Sequence, residues 1–193
     1  MVFVIKERNI ITYLIHRRGI SLEKGYIHIY TGPGKGKTTA ALGLGLRAAG
    51  AGFKVHMIQF MKGRRYSEID AVENLPNFTI SQHGRDEFVS KENPKQIDID
   101  MAQEGFSHAK EIIKNGEHEL VILDELNVAV DYNLISVDDV IKLIEEKPEK
   151  LELVLTGRGA HPELVKMADV VTEMLEIKHP YQEGVLARKG IDF

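Results

Sequence analysis

The run Thr31-Gly32-Pro33-Gly34-Lys35-Gly36-Lys37-Thr38-Thr39 joins an apolar, β-prone segment, Tyr26 to Tyr30, to a helix-forming one, Thr39 to Ala49. A strand passing through a glycine-rich loop into a helix is the context in which backbone amides converge on one polyphosphate. Glycines adopt backbone angles closed to other residues and bring N–H groups close to oxygen anions. The helix that opens near Gly36 adds free amides and about half a positive charge from its dipole. Lys35 and Lys37 contribute two ammonium groups. The candidate phosphate-holding residues are therefore Gly32, Pro33, Gly34, Lys35, Gly36, Lys37, Thr38 and Thr39.

The generic form of this loop has glycine five residues before Gly36, where this chain has Thr31. A glycine-rich turn that merely caps a helix is the bland alternative. Gly32 and Gly34 also form the Gly-x-Gly of a dinucleotide fingerprint, but the Gly-Lys-Thr that follows suits a triphosphate better than a pyrophosphate.

Apolar runs bounded by turn residues recur at Tyr26 to Tyr30, Lys54 to Phe60, Phe78 to Ser81, Leu120 to Leu123, Leu151 to Leu155 and Val170 to Ile177. Short aliphatic runs of this kind read as buried parallel strands. Helical stretches lie between them: Ile97 to Lys114, one opening at Ser136 with Asp139 at capping-box spacing, and one from Pro162 to about Ala168. Alternation of this kind predicts a single-domain α/β fold, a doubly wound and mostly parallel sheet with ligands at the carboxyl ends of its strands. Residues 63–96 are polar and turn-rich, as lids or substrate loops are.

Leu120 to Leu123 run straight into Asp124 and Glu125. A carboxylate leaving a buried strand is the second half of a triphosphate site, holding Mg²⁺ through water while the loop hydroxyl, here Thr38, binds the ion directly. Glu125 offers a second metal or substrate contact; a pair that simply caps a following helix is the alternative. Arg158, between Gly157 and Gly159 after the fifth apolar run, reaches the same sheet edge, as a phosphate or substrate contact or as a structural ion-pair partner.

A net charge of -4 over 193 residues implies no broad basic surface and argues against general nucleic-acid binding. No apolar run approaches the ~18 residues of a membrane span. The chain has no cysteine, hence no disulfide or thiolate ligand, and no export signal is legible, so a cytoplasmic location is expected. Residues 1–24, with an excess of basic residues among scattered aliphatics, form an arm preceding a domain at residues 25–193. The eight histidines show no metal-ligand spacing, and no serine or cysteine triad is legible. The attacking atom is thus left to the substrate.

Thr31 to Ala41, Gln59 to Gly63, Val121 to Leu126, Thr156 to Gly159 and the segment Lys178 to Phe193 with Gly-Ile-Asp-Phe together resemble the ATP:corrinoid adenosyltransferases of RecA-like P-loop fold. That resemblance extends from about Gly25 onward, and the Thr31 variant of the loop is what the family has. It implies that cobalt(I) of a reduced corrinoid attacks C5′ of ATP and releases triphosphate. Carried over, Lys35 and Lys37 clamp the triphosphate, Thr38 and Glu125 bind Mg²⁺ with Asp124 beside them, and Lys37 and Glu125 are the catalytic pair. The resemblance further implies ATP lying in reverse along the loop, a nucleoside contact from Arg47, a homodimer, and an electron-donating reductase. Some relatives carry Gly-Phe-x-Trp after the third strand to hold the corrinoid's lower face; this chain has no tryptophan, and Phe88 is the aromatic candidate there. From loop and Asp124 alone, an ordinary ATPase or kinase, or a nucleotide or corrinoid carrier, stays open.

Overall fold

The computed structural model describes residues 22–193. Most of the arm expected at residues 1–24 therefore lies outside the described residues. From Ile27 onward the chain alternates strand and helix: β1 (Ile27–Thr31), α1 (Lys37–Ala51), β2 (Val55–Phe60), α2 (Ser67–Val72), β3 (Phe78–His83), α3 (Gln96–Asn115), β4 (Leu120–Asp124) and α4 (Leu126–Asp131). There follow α5 (Val137–Glu145), β5 (Glu152–Thr156), α6 (Pro162–Met167), β6 (Val170–Glu173) and a 3₁₀ turn at Pro180–Glu183.

The strands form one sheet in the order β3-β2-β4-β5-β1-β6, and every pairing is parallel. Side chains alternate across it with the two-residue period of a strand. Val55, Met57, Leu120, Ile122 and Val154 pack on one face with Ala41 and Ala49 of α1, whereas Ile58, Phe60, Val121, Leu123, Leu153 and Leu155 face the other with Ala102, Phe106 and Ala109 of α3. With both faces covered, the central strands read as continuous apolar runs, which is why they were legible in the sequence.

Three expectations need correction. β6 ends at Glu173 rather than Ile177, and all four of its residues are exposed rather than buried. It is an edge strand paired only with β1, and the chain beyond it turns to back the glycine loop: Met174 N–H donates to Thr31 O (2.9 Å) and Gly34 N–H to Met174 O (2.7 Å). The polar stretch 63–96 contains α2, whose six residues are too few for a periodic apolar signal. At α5, Ser136 caps the helix by accepting from Asp138 N–H (3.2 Å), two residues on instead of the three of a capping box.

Candidate active site

The carboxyl ends of β1, β2, β4 and β5 bring four loops together. Thr31 is the last residue of β1, not part of the loop: its main chain pairs with Met174, and its hydroxyl accepts from Ala160 N–H (3.3 Å). Glycine is required one position later. Gly32 has φ +95°, and a Cβ there would stand 2.5 Å from Met174 O. Gly36 has φ +113° and opens α1 with no side-chain cap, so the first amides of the helix remain available to an anion.

Lys37 is buried and donates to the carbonyls of Gly32 (2.9 Å) and Gly34 (2.6 Å) across the loop. Burial lowers its affinity for a proton, and the nearby Glu125 opposes that effect. Two neutral carbonyls are modest partners for an ammonium, which a phosphate oxygen would replace with a charge-assisted contact. Lys35, by contrast, turns away from the loop and donates to Ile191 O (3.0 Å) and to Asp192. The two ammonium groups expected to clamp one polyphosphate thus have different partners.

Asp124 is fully buried at the end of β4 and accepts from four groups: Thr38 Oγ1 (2.9 Å), Thr156 Oγ1 (2.7 Å), Lys62 Nζ (2.7 Å) and Gln59 Nε2 (3.3 Å). Burial alone would lower the Lys62 pKa, but the charge of Asp124 and the hydrogen bond to it hold the ammonium above its ordinary value. The next residue, Glu125, takes left-handed angles (φ 63°) that a non-glycine residue adopts at a cost of roughly 1–2 kcal/mol. Its N–H donates to Thr156 Oγ1 (3.0 Å), which anchors the turn. Glu125 precedes α4 without capping it, and its carboxylate makes no hydrogen bond or ion pair among the described residues. Burial and the neighbouring Asp124 push its pKa up, while Lys62, Lys37 and Arg158 pull it down. A carboxylate held there with no bonded donor suits a cation or a polar ligand.

Beside them lies a cavity of about 440 Å³ lined by Lys35, Thr38, Thr39, Lys62, Glu125 and the segment Gly190–Phe193, among others. A second cavity of about 370 Å³ abuts it, sharing Lys62, Tyr66 and Glu125 as a common wall. Phe88, fully exposed, lines this second cavity with Met61, Val89, Val128 and Tyr132, and Arg158 stands on its rim. Arg85 fixes the loop that carries Phe88 by donating to Asp98 at the start of α3 (2.8 Å). Arg47 is exposed on α1 and lies outside both linings.

A sequence model of the family described as ATP:corrinoid adenosyltransferase BtuR/CobO/CobP matches residues 23–193. The chain belongs to that family. Corrinoid adenosyltransferases of Sinorhizobium sp and Escherichia coli K12 are 37% and 36% identical to it over 177 residues, covering 89% of this chain and 81% and 87% of their own lengths. Among solved structures, the RadB recombinase superposes with a TM-score of 0.50 at 14% identity, over 82% of this chain and 78% of that one. A KaiC-like protein of Pyrococcus horikoshii gives 0.51 at 16%, over 88% and 76%. Those two likenesses bear on fold alone, and the fold is RecA-like of the P-loop type.

In this family member, sequence reasoning assigned no role to Lys62, Thr156, Tyr66, Ser67 or Asp192. Lys62 and Thr156 were within reach, because each closely follows or ends an apolar run whose carboxyl end faces the ligand in a parallel sheet. Tyr66, Ser67 and Asp192 gave no such signal, since they meet the cavity only through the packing of the short helix α2 and the segment Arg188–Phe193. Among the described residues no three His, Cys, Asp or Glu side chains are grouped to hold a metal.

Proposed function

We propose that this chain uses its two abutting cavities to transfer the 5′-deoxyadenosyl group of ATP to the cobalt(I) of a reduced corrinoid, releasing triphosphate. Family membership supports the overall reaction, as adenosylcobalamin synthesis or salvage requires it. The single observation that supports the division of labour is the shared wall of Lys62, Tyr66 and Glu125 between a cavity bordered by the loop residues Lys35, Thr38 and Thr39 and one in which Met61, Phe88, Val89, Val128 and Tyr132 supply apolar surface among charged side chains.

In this reading the loop Gly32–Thr39 and Lys37 hold the triphosphate, and C5′ faces the neighbouring cavity. The cobalt(I) electron pair forms the cobalt–carbon bond as the C5′–oxygen bond breaks, and the bonding pair leaves with triphosphate. Cobalt is formally oxidised from (I) to (III). No proton moves, so no general base is required. Catalysis then consists of alignment and stabilisation of charge on the departing group.

The donor set suits Mg²⁺. Such an ion uses one or two carboxylates and the substrate's phosphates, and does not need an all-protein cage. Asp124 is saturated by four donors and orients the Thr38 hydroxyl, leaving the Thr38 oxygen and Glu125 as the direct ligands. The ion, when bound, would neutralise triphosphate charge. Phe88 would lie on the corrinoid's lower face, where apolar surface keeps water from cobalt(II) and eases its reduction by an external electron donor. Arg47 and Arg158 are assigned to the substrates' periphery, and a homodimer in the cytoplasm completes the reading.

Incubating the chain with ATP, Mg²⁺ and chemically reduced corrinoid tests this. Adenosylcorrinoid and triphosphate in equal amounts are the expected products. Formation of ADP and phosphate independent of corrinoid would overturn it in favour of an ordinary ATPase.

A further inference from the structure

The segment Arg188–Phe193 folds back over the nucleotide cavity and supplies one of its walls. Two contacts to α2 and its approach hold it there. Ser67 Oγ donates to the main-chain oxygen of Phe193 (3.0 Å), and the rings of Tyr66 and Phe193 meet edge to face at 6.3 Å. Within the segment, Gly190 N–H donates to Phe193 O (2.6 Å) and Arg188 N–H to Asp192 Oδ2 (2.9 Å). The Asp192 side chain is 19% exposed and faces Lys35, which donates to it and to Ile191 O.

A loop lysine meant for phosphate thus already has an anionic partner, contributed from 157 positions away. Hydrogen bonds from Lys35 and from Arg188 N–H hold the Asp192 carboxyl well below the usual carboxylate range, so it is ionised at neutral pH. The pair is weak, because the lysine side chain is 45% exposed and solvent screens it. Triphosphate, with several charges, therefore displaces it. Displacement does not strand Asp192, since Arg188 Nε stands 3.2 Å from its other oxygen and keeps it paired.

Building on the nucleotide reading of this cavity, we propose that Asp192 is a positioning residue that competes with triphosphate oxygens for Lys35 and so sets how tightly ATP and released triphosphate are held. In the free cavity Asp192 parks the Lys35 ammonium at the rim. On nucleotide binding Lys35 passes to phosphate while Asp192 falls back on Arg188. After adenosyl transfer Asp192 recaptures Lys35 and helps triphosphate depart.

Calorimetric titration of the full chain with inorganic triphosphate and with ATP, each with Mg²⁺, tests this in wild type, Asp192→Asn, Asp192→Glu, Lys35→Ala and the Lys35→Ala/Asp192→Asn double variant. Asp192→Asn is expected to tighten triphosphate by roughly threefold to tenfold at low ionic strength, the gain shrinking as salt screens the pair. The conservative Asp192→Glu should stay near wild type, and in the Lys35→Ala background Asp192→Asn should add nothing. A purely structural wall would loosen, not tighten, when altered. Equal or weaker binding by Asp192→Asn, or a gain that persists without Lys35, overturns the proposal. A wild-type chain that binds neither ligand overturns the nucleotide reading instead.

Discussion

Lys37 has surroundings that suit the phosphate role proposed for it. Its ammonium is taken out of water, which lowers its pKa, and is given two carbonyl oxygens at 2.9 and 2.6 Å in place of an anion. A triphosphate oxygen improves on both. Lys37→Ala should therefore lower kcat/KM for ATP by about 10- to 100-fold, the range expected when a hydrogen bond to a charged group, worth about 1.5–3 kcal/mol, is lost. Steady-state rates with ATP varied would measure it, and a change of less than twofold would contradict the assignment. Lys37 was readable from its place in Gly-Lys-Thr. Lys62, which makes the ion pair to Asp124, was given no role, although its place just past the end of β2 put it within reach. Phe88 shows the reverse: the family resemblance singled it out, and the structure places it on the second cavity.

At the scale of elements, the central strands were legible because burial on both faces leaves mostly aliphatic residues, whereas the end and exposure of β6, and the whole of α2, were not. An exposed edge strand of valines and a six-residue helix both depend on tertiary neighbours for their form. The same tertiary dependence creates a feature no spacing rule detects. His56 on β2 is packed in a row with His108 of α3 and with His118, its ring centroids 5.3 and 5.6 Å from theirs, and His83 of β3 lies beyond at 5.5 Å from His108. His56 Nδ1 meets Thr79 Oγ1 at 2.7 Å and Nε2 meets Ser81 Oγ at 3.3 Å, so the ring is accommodated uncharged. Burial, reinforced by the neighbouring histidines, lowers its pKa from 6.5 to about 4. Burial lowers His83 and His118 as well. Because the unfolded chain takes up these protons first, stability is full above the unfolded value and falls as pH drops from about 6.5 towards about 4. His56 alone accounts for on the order of 3 kcal/mol of that loss. Urea unfolding at pH 7.5, 6, 5 and 4 would measure the slope, and His56→Gln should flatten it. An unchanged slope in that variant would contradict the neutral, buried histidine.

For the whole molecule, the parallel sheet does one thing that no single element can: it delivers loops from β1, β2, β4 and β5 to one edge, so that the cavity beside the glycine loop and the one beside Phe88 share a wall. The class of fold and the phosphate half of this arrangement were legible, because a glycine loop and a strand-end carboxylate are local in sequence. The second cavity was legible only as one aromatic, since Met61 follows β2 while Val128 and Tyr132 stand one turn apart at the short helix α4, and nothing in the sequence joins these segments to the loop of Phe88. What the arrangement requires of the substrate is a direction. In the proposed function, with phosphates along Gly32–Thr39, the reacting carbon points across Lys62, Tyr66 and Glu125 towards the corrinoid. A structure of the chain with ATP and Mg²⁺ bound measures that most directly. The account expects the triphosphate in the loop and ribose C5′ open to the cavity lined by Phe88; a nucleotide with C5′ enclosed and its γ-phosphorus facing that cavity would contradict it.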